Sequence, residues 1–353
     1  MTRARRQALR TQLEGDWAYF SDFESIFYLT GFSGSNAVLV IGQKEDSDFL
    51  ITDPRYQERV KPLAAELKVV ISTNFKRVLT EELPANCRVQ IDTKRISSFA
   101  ASELANTLAN SELVLNSDIL MNLRITKDEH EIANIKKACE LTSQALWYLI
   151  NDLRPGMTER QIAKKFWQNA LDRGADALAF DTIVASGENS ASPHHDPTGR
   201  VLQKGDLITI DCGLSFNGYQ SDMTRTVFIG TTANWQEEIY QVVMQAQAAA
   251  IATAKVGTKA SQIDACAREL ITEAGFGEYF VHGTGHGVGI QVHEAPFITK
   301  GNDLLLEENF CFTVEPGVYL PGRGGVRIED TCIVTRGGLE ILTKGSHEII
   351  CVG

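Results

Sequence analysis

Residues 207–229 read LITIDCGLSFNGYQSDMTRTVFI, two apolar runs of strand character on either side of Asn217-Gly218. Asn-Gly between such runs is the strongest short-range hairpin signal, because the favoured tight turn needs φ > 0 at both central residues. A two-residue turn sets Phe216 opposite Tyr219 and, further along the ladder, Asp211 opposite Thr224. Asp222 lies two residues from Thr224 and therefore shares the face of Asp211. The two carboxylates become diagonal neighbours, roughly 7 Å apart or less at Cβ. An Asp beside a turn is usually just solvated. Here both acids interrupt apolar strands, and like charges on one face repel unless something positive compensates. The compensating group is a metal or an arginine. Arg225 falls on the opposite face by parity, which favours a metal. Ions of a two-metal site sit roughly 3.5–4 Å apart, within reach of this frame.

Moving outward, HGTGHGVGIQVHE at 282–294 puts His282, His286 and His293 in one glycine-rich segment. Imidazole is the usual nitrogen ligand for divalent metals, and glycine lets the backbone approach closely. The segment is not an HExxH zinc helix, since glycine is a poor helix former, and no GK[ST] follows to make a phosphate loop. Pro193-His194-His195 adds a further candidate, with the two histidines indistinguishable by composition. NFCFTVEPG at 309–317 ends an apolar strand in Glu315, and GGVRIEDTCIVT at 324–335 reads as one strand with Glu329 inside it. A buried Glu there needs a metal or a partner. The alternative is an exposed ion pair between Arg327 and Glu329. His130 and His347 sit in solvent-like contexts and are not candidates.

The order Asp, Asp, His, Glu, Glu, in the contexts IDCG, SDMTRT, GTGHGVG, VEPG and RIED, resembles the pita-bread metallopeptidases, the family of aminopeptidase P, prolidase and methionine aminopeptidase. The resemblance implies that Asp211 chelates one divalent ion, His286 and Glu315 hold a second, and Asp222 and Glu329 bridge both. It implies Glu315 as proton shuttle, and His194, His282 and His293 as histidines that meet substrate and stabilise the tetrahedral intermediate. Arg327 takes a supporting role. Oxygen-rich ligation points to Mn²⁺ first, with Co²⁺, Zn²⁺ and Fe²⁺ open.

The implied reaction is hydrolysis of an Xaa-Pro bond in a proline-containing peptide. Prolidases of the family often carry an Arg four residues after the His of the VHE motif, where it meets a dipeptide's carboxylate; here that position is Phe297. The reading placed first is therefore an Xaa-Pro aminopeptidase. The alternatives are an Xaa-Pro dipeptidase with another basic residue such as Arg323 on the carboxylate, and a non-enzymatic binding protein on the same fold. The family also implies a homodimer.

The fold expected is α+β, with two domains. Residues 1–122 form a small α/β domain of creatinase and prolidase type, resembled through FYLTGFSGSN and ITDPRY, which methionine aminopeptidases lack. Its strands are NAVLVIG, DFLITD, LKVVIST, CRVQID and ELVLN. Its helices are PRYQERVKPLAAEL, opened by Pro54 behind Asp53, and SSFAASELANTLANS. Residues 123–353 form the catalytic domain, with pseudo-two-fold halves around a curved, mostly antiparallel sheet. It opens with a helix over 127–150 whose apolar stripe is Ile132, Ile135, Ala138, Leu141, Ala145 and Tyr148. A weak repeat relates GMTERQIAKKFWQNALDRG (156–174) to GTKASQIDACARELITEAG (257–275).

The length of 353 residues fits two domains at roughly 150 residues each. A net charge of −11 disfavours nucleic acid. No apolar run reaches the ~18 residues of a membrane span. Seven cysteines without a CxxC pair suggest reduced thiols and a cytoplasmic protein. The basic start, MTRARRQALRTQLEGDW, reads as a short amphipathic helix rather than a signal or transit peptide.

Overall fold

In the computed structural model, which describes residues 1–353, Asn217 and Gly218 have φ of 50° and 78°. The ladder pairs Phe216 with Tyr219 and Asp211 with Thr224, the register expected from the turn. The chain divides into two units, Met1–Arg124 and Ile125–Gly353.

The first unit is a six-stranded sheet. From one edge to the other its strands are Lys68–Ile71, Phe49–Thr52, Ala37–Gly42, Trp17–Phe20, Arg88–Asp92 and Glu112–Asn116. Five were expected. The sixth, Trp17–Phe20, is central: it runs antiparallel to Ala37–Gly42 and parallel to Arg88–Asp92. The helix expected from Pro54 does not form as one piece. Asp53 caps a turn at Pro54–Tyr56, and a second short 3₁₀ segment spans Lys61–Ala65. Pro62 lacks the N–H that a continuous helix would need there. The N-terminal segment is helical over Thr2–Arg10, and its basic face turns inward: Arg6 is buried, 3.2 Å from Asp48.

The second unit has two helix pairs, Glu129–Asp152 with Glu159–Leu171 and Asn234–Thr253 with Ala260–Glu273. One sheet orders Cys351–Val352, Met223–Ile229, Leu207–Cys212 and Ile183–Ser186. A second orders Glu294–Ile298, Gly285–Gly287, Cys311–Val314, Asp330–Thr335 and Gly338–Ile341. All neighbours are antiparallel except Cys351–Val352 on Met223–Ile229. Ile208, Ile210, Met223 and Val227 join the core of the first half, while Leu207 and Phe228 turn into the second. Each fully buried aliphatic side chain contributes roughly 1.5–3 kcal/mol.

The weak repeat is structural, and each of its four identities has a job. Gly156 and Gly257 turn at φ of 92° and 83°, and Gly174 and Gly275 at 83° and 87°. Gln161 and Gln262 each accept the backbone N–H three residues back, at Thr158 and Lys259. Ile162 and Ile263 are fully buried. Each helix start is also tied to a later segment by an isolated antiparallel bridge, Thr158 to Val201 and Lys259 to Leu305.

Two local expectations change. In the helix Glu129–Asp152 the stripe drifts, so Tyr148 is exposed beneath the Arg173 guanidinium and Leu146 and Leu149 take the core positions. Over 24 residues the 3.6-residue period carries a fixed stripe off the buried face. The strand expected over 324–335 is two strands, Gly324–Arg327 and Asp330–Thr335, which belong to different sheets. Glu329 stands at the break, its N–H bonded to the carbonyl of Thr224.

Candidate metal centre

Nine residues singled out from the sequence line one cavity of about 550 Å³: His194, Asp211, Asp222, His282, His286, His293, Glu315, Arg327 and Glu329. They come from separate elements. Asp211 sits on Leu207–Cys212, and Asp222 just before Met223–Ile229. His286 lies on Gly285–Gly287, with Glu315 just after Cys311–Val314. The flanking glycines allow close packing. A Cβ at Gly285 would stand 1.9 Å from the Thr313 carbonyl oxygen, and one at Gly287 2.1 Å from that of Ala295.

Donor atoms of Asp222, His286 and Glu329 lie within 4.8 Å of one another. His286 Nε2 is 3.2 Å from Glu315 Oε1 and 3.6 Å from Asp222 Oδ2. His286 Nδ1 faces the carbonyl of Gly287 at 3.2 Å, so Nδ1 carries hydrogen and Nε2 points at the acids. Threonines hold the carboxylates. Thr224 Oγ1 donates to Glu329 Oε2 at 2.6 Å, and Thr313 Oγ1 donates to Glu315 Oε1 at 3.1 Å. One oxygen on each of Asp211, Asp222 and Glu329 is buried without a hydrogen-bond partner. A buried carboxylate oxygen left in that state costs free energy. Three such oxygens in one cavity, beside one imidazole, are a donor set that fits divalent cations.

The electrostatics agree. Burial, and then the neighbouring carboxylates, push Asp222 and Glu329 well above the ordinary carboxyl range. Burial also pushes Glu315 up, but the hydrogen bond and charge of His286, together with the charges of His282 and Arg327, outweigh it and leave Glu315 at about 2. For His286, burial lowers the pKa and Glu315 more than restores it. Burial lowers both His282 and His293.

Arg327 is not in an exposed pair with Glu329. It is buried, and its Nη2 donates to Asp211 Oδ2 at 2.7 Å. An arginine does compensate one of the hairpin acids, but it arrives from another strand. Arg225 is turned away, as its parity requires, and pairs with Asp330 at 2.8 Å. The same acid takes His347 at 2.6 Å, so His347, though its side chain is 31% exposed, joins a network centred on buried Asp330.

Tyr319 has no sequence signal that marks it as part of the site. Its hydroxyl accepts from Arg327 Nη1 at 2.9 Å and therefore donates to His282 Nε2 at 2.8 Å. His282 Nδ1 donates to the Gly283 carbonyl at 2.7 Å, so both of its ring nitrogens are engaged within the protein. The His293 ring lies 4.1 Å from that of His286, tilted by 56°, and His194 is exposed on the cavity wall. Phe297 is also on the wall, half-exposed. Arg323 is not; it stacks on Trp235. Arg327 is the one guanidinium lining the cavity.

Residues 133–336 match the model of metallopeptidase family M24, and residues 3–126 match the creatinase/prolidase N-terminal domain. The Xaa-Pro dipeptidase of Pyrococcus furiosus is 43% identical over 327 residues, 92% of each chain. Among solved structures, an Xaa-Pro dipeptidase from Bacillus anthracis superposes with a TM-score of 0.93 at 32% identity, covering 99% of both chains. An X-Pro aminopeptidase from Thermotoga maritima MSB8 gives a TM-score of 0.89 at 34% identity, covering 98% of this chain and 100% of that one. These likenesses favour the dipeptidase alternative over the aminopeptidase reading placed first, and they remove the non-enzymatic one. A cluster of acids around the His286 imidazole, on a fold shared with these enzymes along nearly its whole length, leads to one family: the chain belongs to metallopeptidase family M24, a peptidase that uses divalent metal ions and carries a creatinase/prolidase N-terminal domain.

Proposed function

We propose that this enzyme is an Xaa-Pro dipeptidase, with Asp211, Asp222, His286, Glu315 and Glu329 holding two divalent ions. The observation that carries the metal assignment is the set of partnerless buried oxygens on Asp211, Asp222 and Glu329. The likeness to the Pyrococcus furiosus dipeptidase supports the substrate. Two such ions would lower the pKa of a bound water and polarise the scissile carbonyl.

The chain's own residues do the rest. Thr224, Thr313 and Arg327 hold the carboxylates of Glu329, Glu315 and Asp211 by hydrogen bonds, so the cluster is organised before substrate arrives. Glu315, ionised at neutral pH, is placed to take a proton from water and pass it to the leaving proline nitrogen. That nitrogen is a tertiary amide without N–H, so it must gain this proton to leave. His194 and His293 face the cavity as donors to the substrate. His282 acts from behind, through Tyr319 and Arg327. The oxygen-rich set with one imidazole supports Mn²⁺. Seven unpaired thiols support a reducing, cytoplasmic setting. A homodimer rests on family likeness and is tested by sedimentation.

One observation favours an aminopeptidase as second reading: Phe297 stands on the wall where a guanidinium would meet a dipeptide's carboxylate. The deciding experiment strips metal with chelator, restores Mn²⁺, and compares an Xaa-Pro dipeptide with an Xaa-Pro tripeptide. Preferential dipeptide cleavage is expected. Preference for the tripeptide returns the aminopeptidase reading, and cleavage of neither overturns both.

A further inference from the structure

Glu159 opens the helix Glu159–Leu171 and has no accessible surface. It is neither a proposed ligand nor a cavity residue, yet its carboxylate accepts six hydrogen bonds. Oε1 takes Ser186 N at 2.8 Å, Ser186 Oγ at 2.7 Å and Asn189 Nδ2 at 3.0 Å. Oε2 takes Thr198 N at 2.9 Å, Thr198 Oγ1 at 2.6 Å and His195 Nε2 at 3.0 Å. All six donors belong to the segment 186–198, and Ser186 and Thr198 are its two ends. One carboxylate therefore closes the neck of a loop. The inner part of that loop, Pro193 to Asp196, is cavity wall.

The loop's other anchors are polar and spread along it: Gly325 N donates to Ser190 Oγ at 2.9 Å, Arg160 Nε to the Pro197 carbonyl at 3.2 Å, and Arg160 N to the Thr198 carbonyl at 3.1 Å. Between Gly187 and Gly199 only Ser190 is buried, so no apolar anchor fixes the chain. Arg200 adds a second clasp at the neck, donating to Ser186 Oγ at 2.8 Å and to both oxygens of Asp206. The helix does not need Glu159 for docking, because Ile162, Phe166 and Ala170 bury that face completely. A buried ion is costly unless its hydrogen-bonding capacity is filled, and here that capacity is filled from the loop alone.

We propose that Glu159 is a positioning residue for substrate binding: it ties both ends of the 186–198 loop to the helix and so holds His194 in the wall where the peptide docks. The inference rests on the Xaa-Pro peptidase reading for its kinetic consequence, though not for the tether itself. An amide at this position keeps the shape but turns an N–H₂ toward three donors, so one end of the neck comes free.

The test uses the full-length, metal-loaded enzyme and an Xaa-Pro dipeptide, with Glu159→Gln, His194→Ala and the double variant. Glu159→Gln is expected to raise KM about tenfold or more, the scale of losing a hydrogen bond to a charged group, with metal content unchanged. In the His194→Ala background the same change is expected to have little further effect, because residues acting through one another are non-additive. A double variant whose effects multiply, or an unchanged KM in Glu159→Gln, overturns the proposal. Hydrogen exchange supplies a readout independent of activity. The amides of Ser186 and Thr198 should exchange at least about tenfold faster in Glu159→Gln, while those of the helix interior do not. Unchanged exchange at both amides refutes the tether, whatever the enzyme hydrolyses. If wild type cleaves no Xaa-Pro peptide, the substrate reading fails and the exchange result still decides the tether. Thr198→Val, which removes one hydroxyl donor from the loop side, carries the same tests should Glu159→Gln fail to fold.

Discussion

Asp330→Asn is expected to destabilise the catalytic unit far more than its size suggests. Asp330 is fully buried and accepts Arg225 Nη2 at 2.8 Å and Thr343 Oγ1 at 2.7 Å on one oxygen. Its other oxygen accepts Gln247 Nε2 at 2.8 Å and His347 Nε2 at 2.6 Å. Burial pushes its carboxyl up, but Arg225 and His347 outweigh that and keep it ionised. Asparagine removes the charge and presents an N–H₂ to one pair of donors, leaving the Arg225 guanidinium buried and uncompensated. Breaking a buried pair from one side costs about 3–5 kcal/mol. For a unit of this size each kcal/mol moves Tm by roughly 2–4 °C, so a fall of about 6–20 °C is expected. Calorimetry of the metal-loaded protein measures it. Arg225→Met with Asp330→Leu removes both charges and should lose less than Asp330→Asn alone. Arg225 Nη1 also donates to the backbone carbonyls of Glu329 and Thr224, so metal retention should fall in Asp330→Asn. A Tm within about 2 °C of wild type would refute the reasoning, since a buried pair cannot lose one charge so cheaply.

In chelator-stripped protein, Tm should fall as pH rises from about 6.5 to 8. Asp222 and Glu329 have raised folded pKa values, so the folded state holds a proton that the unfolded state has lost, about 1.4 kcal/mol per pH unit for each proton retained. His282 and His293, lowered by burial, oppose this only below their unfolded value near ~6.5; saturating Mn²⁺ should abolish the slope, and a flat or rising Tm without metal contradicts the assignment. Phe297→Arg should lower KM for the dipeptide about tenfold relative to the tripeptide; an unchanged ratio in steady-state kinetics would mean that this wall does not face the peptide's C-terminal end. Of the seven free thiols only Cys351 is exposed, with Cys266 half-buried, so a thiol reagent should label one cysteine promptly in native protein and seven after denaturation.

The hairpin was legible because its register is local: Asn217-Gly218 selects the turn, and a strand's two-residue period carries Asp211 and Asp222 to one face. The acids and His286 were legible because each interrupts apolar or glycine-rich sequence that would otherwise exclude it. What escaped reading depends on contacts remote in sequence. Trp17–Phe20 is only four residues long and is a strand because neighbours pair with both of its edges. The pairing of Arg327 with Asp211 cannot be seen from parity, which constrains partners within a hairpin and not between strands of different sheets. Tyr319 gains meaning only from His282 and Arg327, and Glu159 only from the segment it grips, two of whose six donors are backbone N–H groups that have no sequence signature. Glu329 falls at a break because the chain changes sheets there, which an alternating pattern does not announce.

The pairing of Cys351–Val352 with Phe228–Ile229 has a consequence for synthesis. The ribosome delivers the Leu207–Ile229 hairpin long before it delivers that edge strand, and before Asp330, the acid that neutralises Arg225. During that interval the nascent first half presents an open strand edge, a template for pairing with other chains, and a guanidinium without its carboxylate. The half that supplies two of the acids can therefore finish folding only after nearly all of the second has emerged. A chain stalled near residue 320 should be protease-sensitive throughout the hairpin and dependent on chaperones that cover exposed strands.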